Sequence, residues 1–338
     1  MAQPSGFPSR KRRYRRYAKQ PVEKELPKIF FCGDPHGEFA HINEAAIEHR
    51  PVAMVILGDL QPPDDLDVVL APALEVTEIW WIPGNHDTDT EEIYDRLWRN
   101  GLVEHNIHGK VVTIAGIKIA GLGGVFRGQI WMPDGEPNYR SAASFVRRSG
   151  RSNLWRGGLP RRHRSSIFPS VYDNLATQKA DVLVTHEAAG CHKKGFDAID
   201  RLGKALHVKW IFHGHQHEDR DFGLYKGMHV RAVGYRGIVD LQGNDIVEAQ
   251  IDPRDLLIMQ QACDEPAPEV FDTIYSQPVV DFHSYRSPNP YRMDREANRS
   301  KRNWNRSQRQ DKERDCRKVN EAKSQASQDL PPKKDKYL

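Results

Sequence analysis

Aspartate, histidine and asparagine recur along this chain in short segments, most of them beside a glycine. They read Gly33-Asp34-Pro35-His36-Gly37, Gly58-Asp59, Gly84-Asn85-His86-Asp87, Thr185-His186-Glu187 and Gly214-His215, with His217 just after. Carboxylate and imidazole together are the donor set of Zn, Mn or Fe rather than of Ca or Mg alone. Asp34 and His36, two residues apart on a loop, can face one ion, and the two oxygens of Asp59 can serve two ions. Asn85 offers a neutral amide oxygen, while His186, His215 and His217 add imidazoles. Two dications set against two carboxylates and one bridging hydroxide leave a positive site. Such a site attracts phosphate and makes hydroxide available near neutrality. These residues therefore point to hydrolysis at two metals.

Apolar runs that read as strands precede these segments. Lys28 to Cys32, Val52 to Leu57, Ile79 to Ile82, Asp181 to Val184 and Lys209 to Phe212 each lead directly into one of them. Val111 to Ile114 and Ile117 to Ala120 predict a hairpin across Ala115-Gly116. Val230 to Val233, Gly237 to Leu241 and Ile246 to Ile251 predict a closing antiparallel meander. Helical spacing fits Phe39 to Glu48, Glu91 to Trp98 and Ala198 to Leu206. Donors placed just past the C-terminal ends of buried strands collect in one crevice, and short glycine turns let them converge. The order of elements predicts two packed sheets with helices outside.

The ordered set Asp-x-His, Gly-Asp, Gly-Asn-His-Asp, His and Gly-His-x-His resembles the calcineurin-like metallophosphoesterases over about Lys28 to Ile251. The resemblance implies a four-layer α/β/β/α sandwich and a dinuclear centre of divalent or mixed-valence ions, Mn, Fe or Zn. It implies that Asp34, His36 and His217 hold one metal, that Asn85, His186 and His215 hold the other, and that Asp59 bridges them. His86 would assist the leaving oxygen, and Asp87 would close that motif and orient its loop. The implied reaction is phosphatase or phosphodiesterase chemistry, with a metal-bridging hydroxide attacking phosphorus in line. The substrate would be a nucleotide, a small phosphoester or an oligonucleotide. Phosphoprotein phosphatases continue the Gly-Asp motif with an Asp and an Arg. Here the stretch is Leu60-Gln61-Pro62-Pro63, which argues against that branch.

Charge is partitioned along the 338 residues. Residues 1–27 carry a net +6, residues 28–280 a net −9 and residues 281–338 a net +7. The ends read as a basic disordered N-terminal segment and a basic low-complexity tail around a domain spanning 28–280. Tyr14, Tyr17 and Trp304 could stack on bases, although loose, nonspecific binding of nucleic acid or another polyanion is the favoured reading of the ends. Within the domain, Arg140 to Tyr172 holds eight arginines and no acid. It reads equally as a basic lid gripping phosphates or nucleic-acid backbone, or as a solvated loop. Lys193 and Lys194 read as ordinary surface lysines. His163, His192, His207, His213 and His229 are assigned to packing or surface.

The four cysteines, Cys32, Cys191, Cys263 and Cys316, form no CxxC pair, which opposes a thiolate zinc site and fits a reducing cytoplasm. No apolar run approaches a membrane span, and the charged N-terminus is not followed by an apolar segment. The competing class is a nucleic-acid-binding protein whose metal site is vestigial or structural.

Overall fold

Two sheets form because the strands alternate two apolar faces. The computed structural model describes residues 26–254 and 256. Its strands are β1 (Ile29–Cys32), β2 (Ala53–Ile56), β3 (Glu78–Trp81), β4 (Val111–Ile114), β5 (Ile117–Leu122), β6 (Val182–Thr185), β7 (Trp210–His213), β8 (Arg220–Tyr225), β9 (Met228–Ala232), β10 (Ile238–Val239) and β11 (Asp245–Val247). One sheet runs β11-β10-β1-β2-β3, and the other runs β4-β5-β6-β7-β9-β8. The strands that carry the donors are parallel within each sheet, β1-β2-β3 in one and β5-β6-β7 in the other.

Period-two alternation assigns each side chain to a layer. Ile29, Phe31, Ala53, Val55 and Leu57 face inward, where they meet Val182, Val184 and Phe212 from the second sheet. Phe31 and Phe212 stack at 4.0 Å across that interface. Phe30, Cys32, Met54 and Ile56 face outward onto the first helical layer, which includes α1 (Ala40–His49), α2 (Leu66–Val69), α3 (Ala71–Leu74) and α4 (Glu91–Trp98). Leu183, Ile211 and Val230 face outward on the other side, under α5 (Ala142–Arg148), α6 (Pro169–Ala176) and α7 (Asp197–Leu206). The layers are therefore α/β/β/α, as expected.

The closing meander requires correction. Met228–Ala232 pairs with β7 in parallel and with the unanticipated β8 in antiparallel, so it belongs to the second sheet. The chain then crosses over, and β10 and β11 join the first sheet beside β1. A meander would have kept the three strands in one sheet. The turn Val233-Gly234 instead carries the chain from one layer to the other, where Ile238 and Val239 are fully shielded between the layers. Residues 1–25 of the expected basic N-terminal segment, the expected basic C-terminal tail, and the part of the expected 28–280 domain beyond residue 256 lie outside the described residues.

His41 on α1 is buried, and neither of its ring nitrogens has a hydrogen-bond partner. Burial, with Arg236 nearby, lowers its pKa from 6.5 to about 4. The folded protein thus keeps His41 neutral at pH values where the unfolded chain protonates it. Its contribution to stability is complete above 6.5 and is lost as the pH falls from 6.5 toward 4. His41→Leu should raise stability at pH 7 by about 1 kcal/mol, because it removes an unsatisfied buried polar group. It should also flatten the loss between pH 6.5 and 4 in urea unfolding. An unchanged pH slope would refute the assignment.

Candidate metal centre

The expected donors meet where the C-terminal ends of the two sets of parallel strands face each other. Asp34 and His36 follow β1, Asp59 follows β2, Asn85 follows β3, His186 follows β6, and His215 and His217 follow β7. Donor atoms of His36, Asp59 and His217 lie within 4.8 Å of one another, and so do those of Asp59, His186 and His215. Asp59 belongs to both sets. Its Oδ2 is 3.7 Å from His36 Nε2 and 3.4 Å from His186 Nε2, while its Oδ1 accepts from the His86 backbone N–H at 2.8 Å.

Three of the imidazoles are held from behind. His36 Nδ1 donates to Gln61 Oε1 at 2.6 Å, His186 Nδ1 to the Leu57 carbonyl at 2.9 Å, and His217 Nδ1 to Asp252 Oδ2 at 2.8 Å. Each bond assigns the tautomer and leaves the Nε2 lone pair directed at the centre. The consequence is a conflict that a cation resolves. His36 Nε2 and His217 Nε2 face each other at 3.0 Å, and His186 Nε2 faces Asn85 Oδ1 at 3.1 Å. Opposed lone pairs at these separations repel unless a proton or a metal lies between them. Asp34 is fully buried; its Oδ2 accepts from the His215 backbone N–H at 2.9 Å, and its Oδ1, 3.5 Å from His186 Nδ1, has no hydrogen-bond partner. The residues present therefore fit a metal pair.

The carboxylates carry the electrostatic mark of the same crowding. Burial raises Asp34 to about 7. Burial also works against ionised Asp59, but His186 and His36 outweigh it and hold that carboxyl well below its usual range. Burial would lower His186, yet Asp59 and Asp34 push it up to about 10.

Backbone geometry gives a second sign that the site is over-determined. His36, Asp59, His215 and His217 all have positive φ, between 43° and 70°. Non-glycine residues in this region cost about 1–3 kcal/mol each and persist where the surroundings enforce them. Glycines supply the space between the loops. A Cβ on Gly58, itself at φ +110°, would meet His186 Nδ1 at 2.3 Å.

His86 lies on a 3-10 turn, His86–Thr88, with its ring 5.7 Å from that of His36. Its Nδ1 donates to Asp89 Oδ2 at 2.6 Å. Asp87 is buried, and both its oxygens accept backbone N–H groups, from Gly84 at 2.7 Å and Gln61 at 3.0 Å. It ties the loop after β2 to the loop after β3. Burial, with Asp59 nearby, raises Asp87 to about 7. A cleft of about 410 Å³ opens beside these groups, lined by His36, Gln61, His86, Tyr235, Asp252 and Arg254.

Sequence reasoning overlooked Gln61, Asp89 and Asp252. Asp89 had a local signal, three residues beyond His86 and so on the same side of a 3-10 turn. Gln61 and Asp252 had none, because their partners are 25 and 35 positions away in sequence. Asp252→Ala should weaken metal binding about 10–100-fold, as loss of a carboxylate behind a ligating histidine does elsewhere. Equilibrium dialysis with Mn would measure it, and unchanged affinity would remove Asp252 from the centre.

The arginine-rich stretch is packed against the domain at several points, while Arg147, Arg148, Arg151 and Arg162 stay exposed. Phe145, Ile167 and Phe168 enter the core beneath it. Arg140 pairs with Asp173, Arg156 with Glu91 and Asp95, and Arg164 with the Tyr94 hydroxyl. Arg161 donates to the Thr88 and Asp89 carbonyls. Of the histidines assigned to packing, His163 bonds Ser166 and Gln129, and His192 pairs with Glu218 at 2.9 Å.

A four-layer sandwich whose strand ends converge histidines and carboxylates around one shared aspartate defines a metal-dependent hydrolase. The model of the calcineurin-like phosphoesterase family matches residues 27–219, more than half of the chain. The chain belongs to that family, the metal-dependent phosphoric ester hydrolases. It is 43% identical over 229 residues to an uncharacterized protein of Haemophilus influenzae, an alignment covering 67% of this chain and 99% of the relative. Solved structures similar to it include a dimetal phosphatase from Danio rerio, at 10% identity and TM-score 0.38, covering 67% of this chain and all of that one. A 5'-nucleotidase from Candida albicans is 14% identical at TM-score 0.37, covering 63% and 49%. Likenesses this low carry no argument. Among the described residues no helix is long and apolar enough to cross a membrane.

Proposed function

We propose that this protein hydrolyses a phosphomonoester or phosphodiester at a pair of divalent metals. Asp34, His36 and His217 hold one ion, Asn85, His186 and His215 hold the other, and Asp59 lies between them. The observation that carries this reading is that Asp59 is common to two donor sets, each within 4.8 Å. When bound, the ions supply Lewis-acid charge to the phosphoryl oxygens and lower the pKa of water.

The chain's own residues do the remaining work. Gln61, Asp252 and the Leu57 carbonyl keep three imidazoles in the tautomer that faces inward. Asp87 keeps the two loops in register. His86, held through Nδ1 by Asp89, presents Nε2 to the leaving oxygen. In the imidazolium form, protonated on both nitrogens, it gives up the Nε2 proton and returns to the neutral ring. The cleft of about 410 Å³ suits a nucleotide or another small phosphoester, within the range of small-ligand pockets.

The test is a panel of nitrophenyl phosphomonoesters and phosphodiesters, nucleotides and oligonucleotides, assayed with Mn, Fe or Zn and accompanied by metal analysis. Metal-dependent turnover of one ester class supports the reading and names the substrate class. Absence of turnover with every metal, together with tight and salt-dependent nucleic-acid binding, would favour the binding-protein alternative.

A further inference from the structure

Arg161 sits in the arginine-rich stretch, yet its guanidinium points at the loop that carries His86. Its Nε donates to the Thr88 carbonyl at 3.0 Å and its terminal nitrogen to the Asp89 carbonyl at 2.7 Å. α4 begins only at Glu91, and its first backbone bond runs from Tyr94 to the Thr90 carbonyl, so it uses neither of these two. Among the described residues, no other hydrogen bond reaches the Thr88 or Asp89 carbonyl. One planar guanidinium therefore spans two consecutive peptides, a fork geometry that lysine cannot reproduce.

We propose that Arg161 is a positioning residue for His86, acting through the Asp89 peptide. The proposal rests on the reading of His86 as the leaving-group acid. His86 and Asp89 are joined at 2.6 Å, but their side chains are 34% and 51% exposed. An exposed pair of this kind contributes little by itself, so it orients His86 only where Asp89 is held in place by other contacts. What holds Asp89 must come from its backbone, and Arg161 is what its carbonyl touches.

Arg161 is itself anchored from both sides. Five residues before it, Arg156 pairs with Glu91 and Asp95 on α4, and its guanidinium lies 4.3 Å from the Trp155 ring. Three residues after it, Arg164 bonds the Tyr94 hydroxyl at 2.8 Å. Ser165 Oγ meets Thr88 Oγ1 at 2.8 Å. The segment from Trp155 to Ser165 is thus stapled along α4 and the turn before it. In this arrangement Arg156, Arg161 and Arg164 serve α4 and the His86 loop.

The experiment compares Arg161→Ala and Arg161→Lys with His86→Ala and the double variant. The substrates are a 4-nitrophenyl ester, whose leaving group needs no proton, and the matching phenyl ester, whose leaving group does. Arg161→Ala should lower kcat on the phenyl ester about 10–100-fold with KM within about twofold, and change the nitrophenyl rate less than about threefold. Arg161→Lys should recover only part of the loss. The double variant should be no worse than His86→Ala alone, because the two act as one unit. Equal losses on both esters, or additive losses in the double variant, would overturn the proposal.

Imidazole NMR supplies a readout that does not need turnover. The His86 Nδ1–H proton, held by Asp89, should be protected from exchange in the wild type and lose that protection in Arg161→Ala. Arg156→Ala, which loosens the segment without touching the Asp89 carbonyl, should keep it. Protection unchanged in Arg161→Ala would also overturn the proposal. If the wild type cleaved no ester with any metal, the hydrolase reading would fall, and the NMR comparison would still decide the role of Arg161.

Discussion

Asp59→Asn is expected to lower kcat/KM by at least about 10³-fold, through loss of bound metal rather than loss of fold. The wild-type carboxylate spends Oδ1 on the His86 N–H and turns Oδ2 toward His36 Nε2 and His186 Nε2. An asparagine must keep its carbonyl on the same N–H. Its NH2 group then points at the two imidazole nitrogens and donates to their lone pairs. The substitution satisfies the metal-free site and blocks it to a cation, so the unliganded protein should be no less stable. Losing one ion removes several kcal/mol of transition-state charge stabilisation, and about 4 kcal/mol corresponds to about 10³ in rate. Metal content by elemental analysis and kcat/KM with Mn would be read together. Wild-type activity with two ions still bound would refute the shared role of Asp59.

Gly84→Ala should cost about 10²-fold in kcat, although glycine ligates nothing. A Cβ at this position would lie 2.2 Å from Asp59 Oδ1 and 2.3 Å from the Asp59 backbone nitrogen. The second of these cannot move without moving the loop after β2. The two loops would have to part, carrying Asp59 away from the imidazoles and breaking the bridge that Asp87 makes between Gly84 and Gln61. A misplacement of about 1 Å is enough for a loss of about 10²-fold. Overpacking should also destabilise the fold by about 1–3 kcal/mol. Gly128→Ala, where a Cβ meets nothing within 4 Å, is the control and should stay within about twofold. If Gly84→Ala kept wild-type kcat and metal affinity, the close approach of the loops would not be needed for function.

The two predictions test different sources of information. Asp59 is recognisable as a donor from residue type and position after an apolar run, because a carboxylate beside a glycine is a local feature. Gly84 is recognisable only as a turn residue. That its missing side chain makes room for Asp59, 25 positions earlier, depends on β2 and β3 lying side by side in parallel.

The sequence by itself determined the layered class of the fold and the chemistry of the donors. Strand alternation is a property of a few consecutive residues, and carboxylate, amide and imidazole keep their ligand preferences wherever they fall. The placement of donor segments directly after buried strands followed from the same local pattern. Element ends moved by only a few residues, as with α1 at Ala40–His49 and β5 reaching Leu122.

Tertiary structure decided what depends on partners distant in the chain. It divided β9 from β10 and β11 between two sheets, a choice set by which faces could be buried. It brought His36 and His217 together across 181 positions and set Asp252 behind the second of them. It also turned Arg156, Arg161 and Arg164 onto α4 and the His86 turn. An arginine's charge can be read from sequence, but the acceptor it finds is chosen by packing.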